Sequence, residues 1–264
     1  MLNTNHEYAV AKFLKRYDYD GVLDILKENG ISDGDLYFLA KSCVYSINFD
    51  FRRSLISLNK IDENYLEKPA LKKLKENLTD LIDGTPEAVL SELIENIRIQ
   101  ILNQEYIDFL GRLYRVKEAL LKYVFITTKE AKNNKIGMYS YELSKKNILY
   151  VLKKSYNVYN TNLIHGINNY IKKHVRKDKK MENALNIINN SKLENLMKLR
   201  NDSPIGHGFK GVSREEIESV YANPLEVMKD LVNACELLDL EIEEEKYDNI
   251  NEILIHMMGR KENF

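Results

Sequence analysis

The sequence predicts an all-α protein. Glycine and proline are scarce, 11 and four in 264 residues. Apolar residues recur at helical spacing through most of the chain, and no stretch sustains the period-two alternation that a half-buried strand requires. A hydrophobic content of 44% is enough to build a core at this length.

The first 60 residues carry an internal echo at an offset of 30, with Tyr17, Tyr19, Asp20 and Leu26 set against Ile47, Phe49, Asp50 and Ile56. Each copy fits helix, short turn and second helix, as in tetratricopeptide-like hairpins; unrelated antiparallel helices fit equally well. A boundary is expected in LIDGTPEA, residues 81–88, where Gly84 can end one helix and Thr85 with Pro86 can open the next as N-cap and first-turn proline. This divides the chain into helical hairpins over residues 1–84 and a larger helical bundle over 85–264.

In NQEYIDFLGRLYRVKEALLKYVF, residues 103–125, the residues Ile107, Leu110, Tyr114, Leu121 and Val124 form a stripe wide enough to bury. Thr127 with Glu130 has the pattern of a capping box for the next helix. YELSKKNILYVLKKSYNVY and TNLIHGINNYIKKHV continue the helical pattern to about residue 175. NPLEVMKDLVNACELLDLEIEEE supplies another amphipathic helix, expected to run into an acidic, solvated tail.

Composition excludes several classes. Lys plus Arg (39) nearly balances Asp plus Glu (40), so net charge argues for neither a nucleic-acid nor a membrane partner, and any such partner must be argued locally. MLNTNHEYAVAKFLKRYDYD lacks the apolar run and cleavage site of a signal peptide. No apolar run reaches membrane-spanning length. These absences lead us to expect a cytoplasmic protein with no membrane partner. Cys43 and Cys235 sit in apolar helical patterns and read as buried thiols. The five histidines are dispersed, with no zinc-binding spacing, so neither metal nor cofactor is expected.

One stretch departs from the rest. LRNDSPIGHGFKG, residues 199–211, holds three of the 11 glycines and one of the four prolines. Ser191 with Glu194 and Ser213 with Glu216 have capping-box spacing on either side, so the stretch connects two helices. Leu193, Leu196, Met197 and Arg200 stand at i, i+3, i+4 and i+7, which places the arginine on the apolar stripe. A guanidinium turned toward a packed surface calls for a carboxylate or phosphate. Asn201 follows at the helix end, and His207 lies among glycines that could admit an RNA backbone. A histidine can remove the proton of a ribose 2′-hydroxyl or protonate a leaving 5′-oxygen, and an arginine can stabilise the crowded phosphate between them.

LRNDSPIGHGFKGVS resembles the Arg-to-His signature of HEPN ribonucleases, and its Leu-Arg-Asn-x-Ser and His-Gly-Phe wording is most similar to the HEPN domains of ancillary ribonucleases of type III CRISPR systems. The resemblance implies a HEPN-like helical bundle that forms a homodimer. It implies a composite, metal-independent site cleaving single-stranded RNA to a 2′,3′-cyclic phosphate and a 5′-hydroxyl, in CRISPR-linked or other antiviral defence. Carried over, Arg200 stabilises the transition state, Asn201 is its polar companion and His207 is the catalytic histidine. Six residues separate Arg200 from His207, the upper edge of the family range, and Pro204 lies among them. GRLYRVKEALLKY, residues 111–123, adds Arg112, Arg115 and Glu118, similar to polar positions of an early HEPN helix. Glu118 could hold Arg200 or pair at i, i+3 with Arg115. Members of this group usually carry an α/β sensor of cyclic oligoadenylate, and the first 85 residues lack the strands for one. Control by cyclic oligoadenylate would therefore act through a sensor that this chain does not contain. A non-catalytic helical dimerisation module and a toxin neutralised by a partner remain alternatives.

IKKHVRKDKK, residues 171–180, gathers Lys172, Lys173, Arg176, Lys177, Lys179 and Lys180 around His174, the first four being the candidate RNA-binding residues. Such a run can bind RNA phosphates by counterion release, or it can be a solvated helix end. His165, in an apolar helix, reads as a packed core residue. The 17 tyrosines are spread along helices, which points to core and interface use and not to a base-stacking platform.

Overall fold

A computed structural model describes residues 4–129 and 137–259, and among them no strand occurs. The chain forms two compact units: one from the residues up to Asp83 together with those from Glu244 onward, the other from Gly84 to Glu243.

The first unit begins with α1 (Thr4–Leu14), α2 (Tyr19–Glu28), α3 (Asp35–Ile47) and α4 (Phe51–Leu58), each packed on the next. The turns of its two hairpins have the same construction. Tyr17 and Phe49 take left-handed φ values of 57° and 61°. The next residue, Asp18 or Asp50, donates its N–H back to Phe13 or Tyr45 at 3.0 and 2.9 Å. Its carboxylate then caps the new helix, accepting from Gly21 or Arg53 at 3.0 and 3.2 Å. The structural echo therefore runs at an offset of 32, not the 30 that side-chain matching suggests. Between α3 and α4, Ser42 and Ser54 each donate to the other's backbone carbonyl, at 3.0 and 2.8 Å, so the two helices approach closely without stranding a buried hydroxyl. A short α5 (Glu63–Leu66) leads to α6 (Pro69–Asp83), which buries Leu71, Leu74, Leu78 and Leu81.

Gly84, at φ 75°, closes α6, and Pro86 opens α7 (Pro86–Leu102) after Thr85, as the sequence predicts. In the second unit α7 packs along α8 (Tyr106–Lys129). Both are buried over most of their circumference, so even Glu92, Glu95 and Lys117 are out of water. The apolar surface of α8 is accordingly wider than the predicted stripe: Leu110, Leu121 and Val124 are fully buried and so are Phe109, Leu113, Val116 and Phe125, while Ile107 and Tyr114 are half-buried. Thr127 does not open a new helix. It lies inside α8 and donates to the Tyr123 carbonyl at 2.9 Å; Glu130 lies outside the described residues.

A 3₁₀ turn at Tyr141–Leu143 precedes α9 (Lys145–Tyr156), α10 (Leu163–His174), α11 (Lys179–Ile188), α12 (Ser191–Asp202), α13 (Arg214–Val220) and α14 (Glu226–Leu237). α8 is the hub, packing against α7, α10 and α12, while α14 packs on α11 and α7.

The acidic stretch after α14 is not a tail. It leads into α15 (Lys246–Gly259), which belongs to the first unit although the sequence pattern groups it with residues 85–264. Tyr247, Ile250 and Leu254 are buried. Tyr247 donates to Ser46 Oγ at 3.0 Å, Tyr17 to Asp248 at 2.6 Å, and Asn251 both donates to the Leu14 carbonyl at 2.9 Å and accepts from Tyr19 at 2.8 Å. No helix among the described residues is long and apolar enough to cross a membrane.

Candidate active site

α12 begins one residue earlier than its predicted cap. Asn190, not Ser191, is the N-cap, its Oδ1 accepting from the Leu193 N–H at 2.7 Å. That frees Glu194 from the expected box, and it pairs instead with the buried Lys117 of α8. Leu193, Leu196 and Met197 are buried as the periodicity requires, and Arg200, one turn on, is half-buried.

α12 and the loop after it run antiparallel to α8 and meet it at three levels. Glu194 meets Lys117, Arg200 meets Tyr114, and Ile205 lies where a Cβ on Gly111 would stand. A side chain at Gly111 would therefore displace Ile205.

The central carbon of the Arg200 guanidinium lies 4.6 Å from the Tyr114 ring centroid. Its Nη1 donates to Asn201 Oδ1 at 3.1 Å, and its Nε is shielded from water with no acceptor among the described residues. No carboxylate meets Arg200 among the described residues. Glu118 takes the i, i+3 pairing with Arg115 at 3.1 Å and also holds Lys122 at 2.8 Å. Arg115 approaches the same tyrosine ring, at 5.8 Å. Two guanidinium groups thus share one aromatic ring. Arg115 is already paired with Glu118, whereas Arg200 meets no carboxylate among the described residues; a π face attracts a cation without neutralising it, so the Arg200 charge remains available to an anion.

The loop is folded against its own helix end. The Arg200 carbonyl accepts from Ser203, whose hydroxyl donates at 2.8 Å, and Ser203 is fully buried. Gly206 N–H donates to Ser203 at 2.9 Å, which makes residues 203–206 a β-turn with Pro204 at the position where its fixed φ is favoured. The Asn201 carbonyl accepts from both His207 and Gly208, at 3.0 and 3.1 Å. A Cβ on Gly206 would strike the backbone of Arg200 and Asn201, and one on Gly208 the backbone of Asp202. Those glycines serve the loop's close contact with its own helix, which replaces the expectation that they admit RNA. Only Gly211 faces open space.

The loop's backbone is therefore fixed while its side chains are presented. His207 is exposed, and Phe209 is 96% exposed. Beyond them Lys210 pairs with Glu216, and the predicted capping box of α13 is present. Ser213 Oγ accepts from Glu216 N–H at 3.3 Å, and the Glu216 carboxylate accepts from Ser213 N–H at 3.1 Å.

Both ends of this excursion converge on Asp230 of α14. Tyr221, just after α13, donates to its Oδ2 at 2.7 Å, and Asn190, the cap of α12, donates to the same oxygen at 3.4 Å. Burial, reinforced by the Asp230 carboxylate, holds the Tyr221 phenol well above its ordinary pKa. Nothing in the sequence links Asp230 or Tyr114 to the motif, because both act from other helices.

Lys172 and Lys173 lie in the last turn of α10, and Arg176 and Lys177 in the connection to α11. Among the described residues all four are exposed, none pairs with a carboxylate and none bonds to the Arg200 loop. His165 is exposed, not packed in the core: Ile164, Ile167 and Ile171 form the buried stripe of α10, and position 165 falls outside it. Cys43 and Cys235 are buried thiols, and burial pushes the Cys235 thiol up to about 12. No cluster of metal-ligating side chains occurs among the described residues. No known protein family, curated protein or solved structure matches this chain.

Proposed function

We propose that the protein is a metal-independent endoribonuclease of the HEPN class, acting as a homodimer on single-stranded RNA in antiviral, CRISPR-linked defence in the cytoplasm. On this reading the second unit is a HEPN-like bundle and the first is built of tetratricopeptide-like hairpins. The observation that carries the proposal is the state of Arg200: a guanidinium seated on Tyr114, with neither a carboxylate nor an acceptor for its shielded Nε among the described residues, one loop away from a solvent-facing His207.

In this mechanism the imidazole of His207 takes the proton of a ribose 2′-hydroxyl, and the 2′-oxygen attacks the adjacent phosphorus. Arg200 stabilises the charge on the pentacoordinate phosphate, with Asn201 steering one of its Nη groups. The bond to the 5′-oxygen breaks as that oxygen takes a proton, leaving a 2′,3′-cyclic phosphate and a 5′-hydroxyl. The second copy of the loop, across a two-fold axis, completes the acid–base pair. Lys172, Lys173, Arg176 and Lys177 bind phosphates of the RNA on either side. A cyclic oligoadenylate activator would act through a sensor domain that this chain does not contain.

The test is cleavage of a quenched fluorescent RNA in EDTA by the parent protein, Arg200→Ala and His207→Ala. Cleavage by the parent and loss in both variants is expected. An inactive parent, or equal cleavage by all three proteins, would overturn the proposal.

A further inference from the structure

Between Glu142 and Asp178 the chain contains eight lysines and arginines and no acidic residue, in a protein whose net charge is −1. All eight are exposed and none forms an ion pair among the described residues. The fold gathers much of this charge in one place. Tyr156, the last residue of α9, lies 4.6 Å from Tyr170 and 5.3 Å from His174, the last residue of α10, measured between ring centroids. The terminal turns of the two helices therefore lie together, and with them Lys153, Lys154, Lys172 and Lys173. Cations complement a helix C-terminus, but that preference does not account for the absence of every counter-charge.

What accompanies the lysines is exposed aromatic surface. Tyr150 is 57% exposed and Tyr159 is 69% exposed. Lys154 donates to the Tyr150 hydroxyl at 3.0 Å, and Lys153 stands 5.9 Å from the Tyr159 centroid. Unpaired bases stack on such rings whatever their identity, while phosphates find the lysines. A membrane surface would call for exposed aliphatic side chains, and the large exposed hydrophobic residues between 137 and 177 are all tyrosines.

We propose that the C-terminal turns of α9 and α10 form a track for single-stranded RNA, with Lys153, Lys154, Lys172 and Lys173 on phosphates and Tyr150 and Tyr159 stacked on bases. The track rests on the ribonuclease reading only for its substrate; its geometry is independent of the Arg200 loop.

Binding is measured by fluorescence anisotropy with a labelled oligouridylate about 20 nucleotides long, using His207→Ala protein so that the probe survives. Replacing the four lysines with glutamine should weaken binding roughly tenfold or more and lower the slope of log affinity against log salt by about 0.7 for each phosphate no longer neutralised. Tyr150→Leu with Tyr159→Leu should weaken it roughly tenfold while leaving that slope unchanged. Thermal melting confirms that each variant is folded. Unchanged affinity in either variant overturns the track, as does equal binding of polyglutamate or of phosphatidylserine vesicles by the parent. Loss of binding in both variants with no cleavage by the otherwise unmodified protein would refute the ribonuclease reading alone. Cleavage dependent on Arg200 and His207, with KM unaffected by the track variants, would refute the track alone.

Discussion

Arg200 and Tyr114, on helices that meet antiparallel, form a cation–π pair in which the ring supports the guanidinium at 4.6 Å. A carboxylate in the same place would have compensated the charge and competed with any incoming phosphate. The ring holds the cation in position and leaves its charge unspent.

Tyr114→Leu should therefore slow RNA cleavage, and Tyr114→Phe should not. A partly desolvated pair of this kind contributes about 1–2 kcal/mol, equivalent to roughly a five- to thirtyfold fall in rate. The pairing has its own signature, an upfield ring-current shift of the Arg200 side-chain N–H proton, expected in the parent and in Tyr114→Phe and absent in Tyr114→Leu. Full activity in the leucine variant would remove the ring from any role in positioning.

The three glycines of the loop should not be equivalent. Gly208→Ala forces a methyl group into the Asp202 backbone, which has no side-chain freedom with which to yield, and should cost about 1–3 kcal/mol and unseat His207. Gly211→Ala enters open space and should change stability by less than about 0.5 kcal/mol. Denaturant unfolding of the two variants side by side makes the comparison, and equal stabilities would refute this account of the loop.

Lys117 is 3% exposed at its side chain and Glu194 is 49% exposed, so the pair is asymmetric. Glu194→Ala abandons a buried ammonium and should destabilise by about 2 kcal/mol, whereas the double variant Lys117→Met, Glu194→Ala should recover most of that loss. A double-mutant cycle in which the second substitution fails to compensate the first would contradict this.

Tyr221 predicts an alkaline weakness. The folded state keeps this phenol protonated to higher pH than the unfolded chain does, through burial and then the Asp230 carboxylate. Its contribution to stability is complete below the ordinary value of 10.0 and is lost as the pH rises through the raised folded value. Unfolding free energies followed upward from pH 10.0 should fall more steeply for the parent than for Tyr221→Phe. Parallel slopes would show that another group governs alkaline unfolding.

What can be read from the sequence is what neighbouring residues decide. Gly84, Thr85 and Pro86 mark a helix boundary by their own backbone preferences, and Ser213 with Glu216 close a box within four positions, so both are legible. Ser191 with Glu194 has the same pattern and is not a box: Asn190 is an equally good cap next door, and Glu194 is claimed by a lysine 77 residues away. The periodicity through Leu193, Leu196 and Met197 places Arg200 on the packed side of α12, but cannot say that an aromatic ring waits there. His165 shows the opposite error. An apolar helix still has an outer face, and a single position decides on which side a residue falls. The hairpin echo is visible in side chains but misaligned by two residues, because what repeats is a left-handed backbone followed by a capping aspartate, chemistry that apolar matching does not weigh.

The first unit is completed by a helix that the ribosome makes only after the whole of the second. The Leu14 carbonyl, the Ser46 hydroxyl and the phenols of Tyr17 and Tyr19 each have a hydrogen-bond partner on α15. At translation rates of about 5–20 residues per second, α1 to α6 wait on the order of ten seconds for it, while the intervening unit emerges whole. Assembly order is thereby set against the order of synthesis: the part begun second is free to finish first, and the part begun first stays open until α15 arrives.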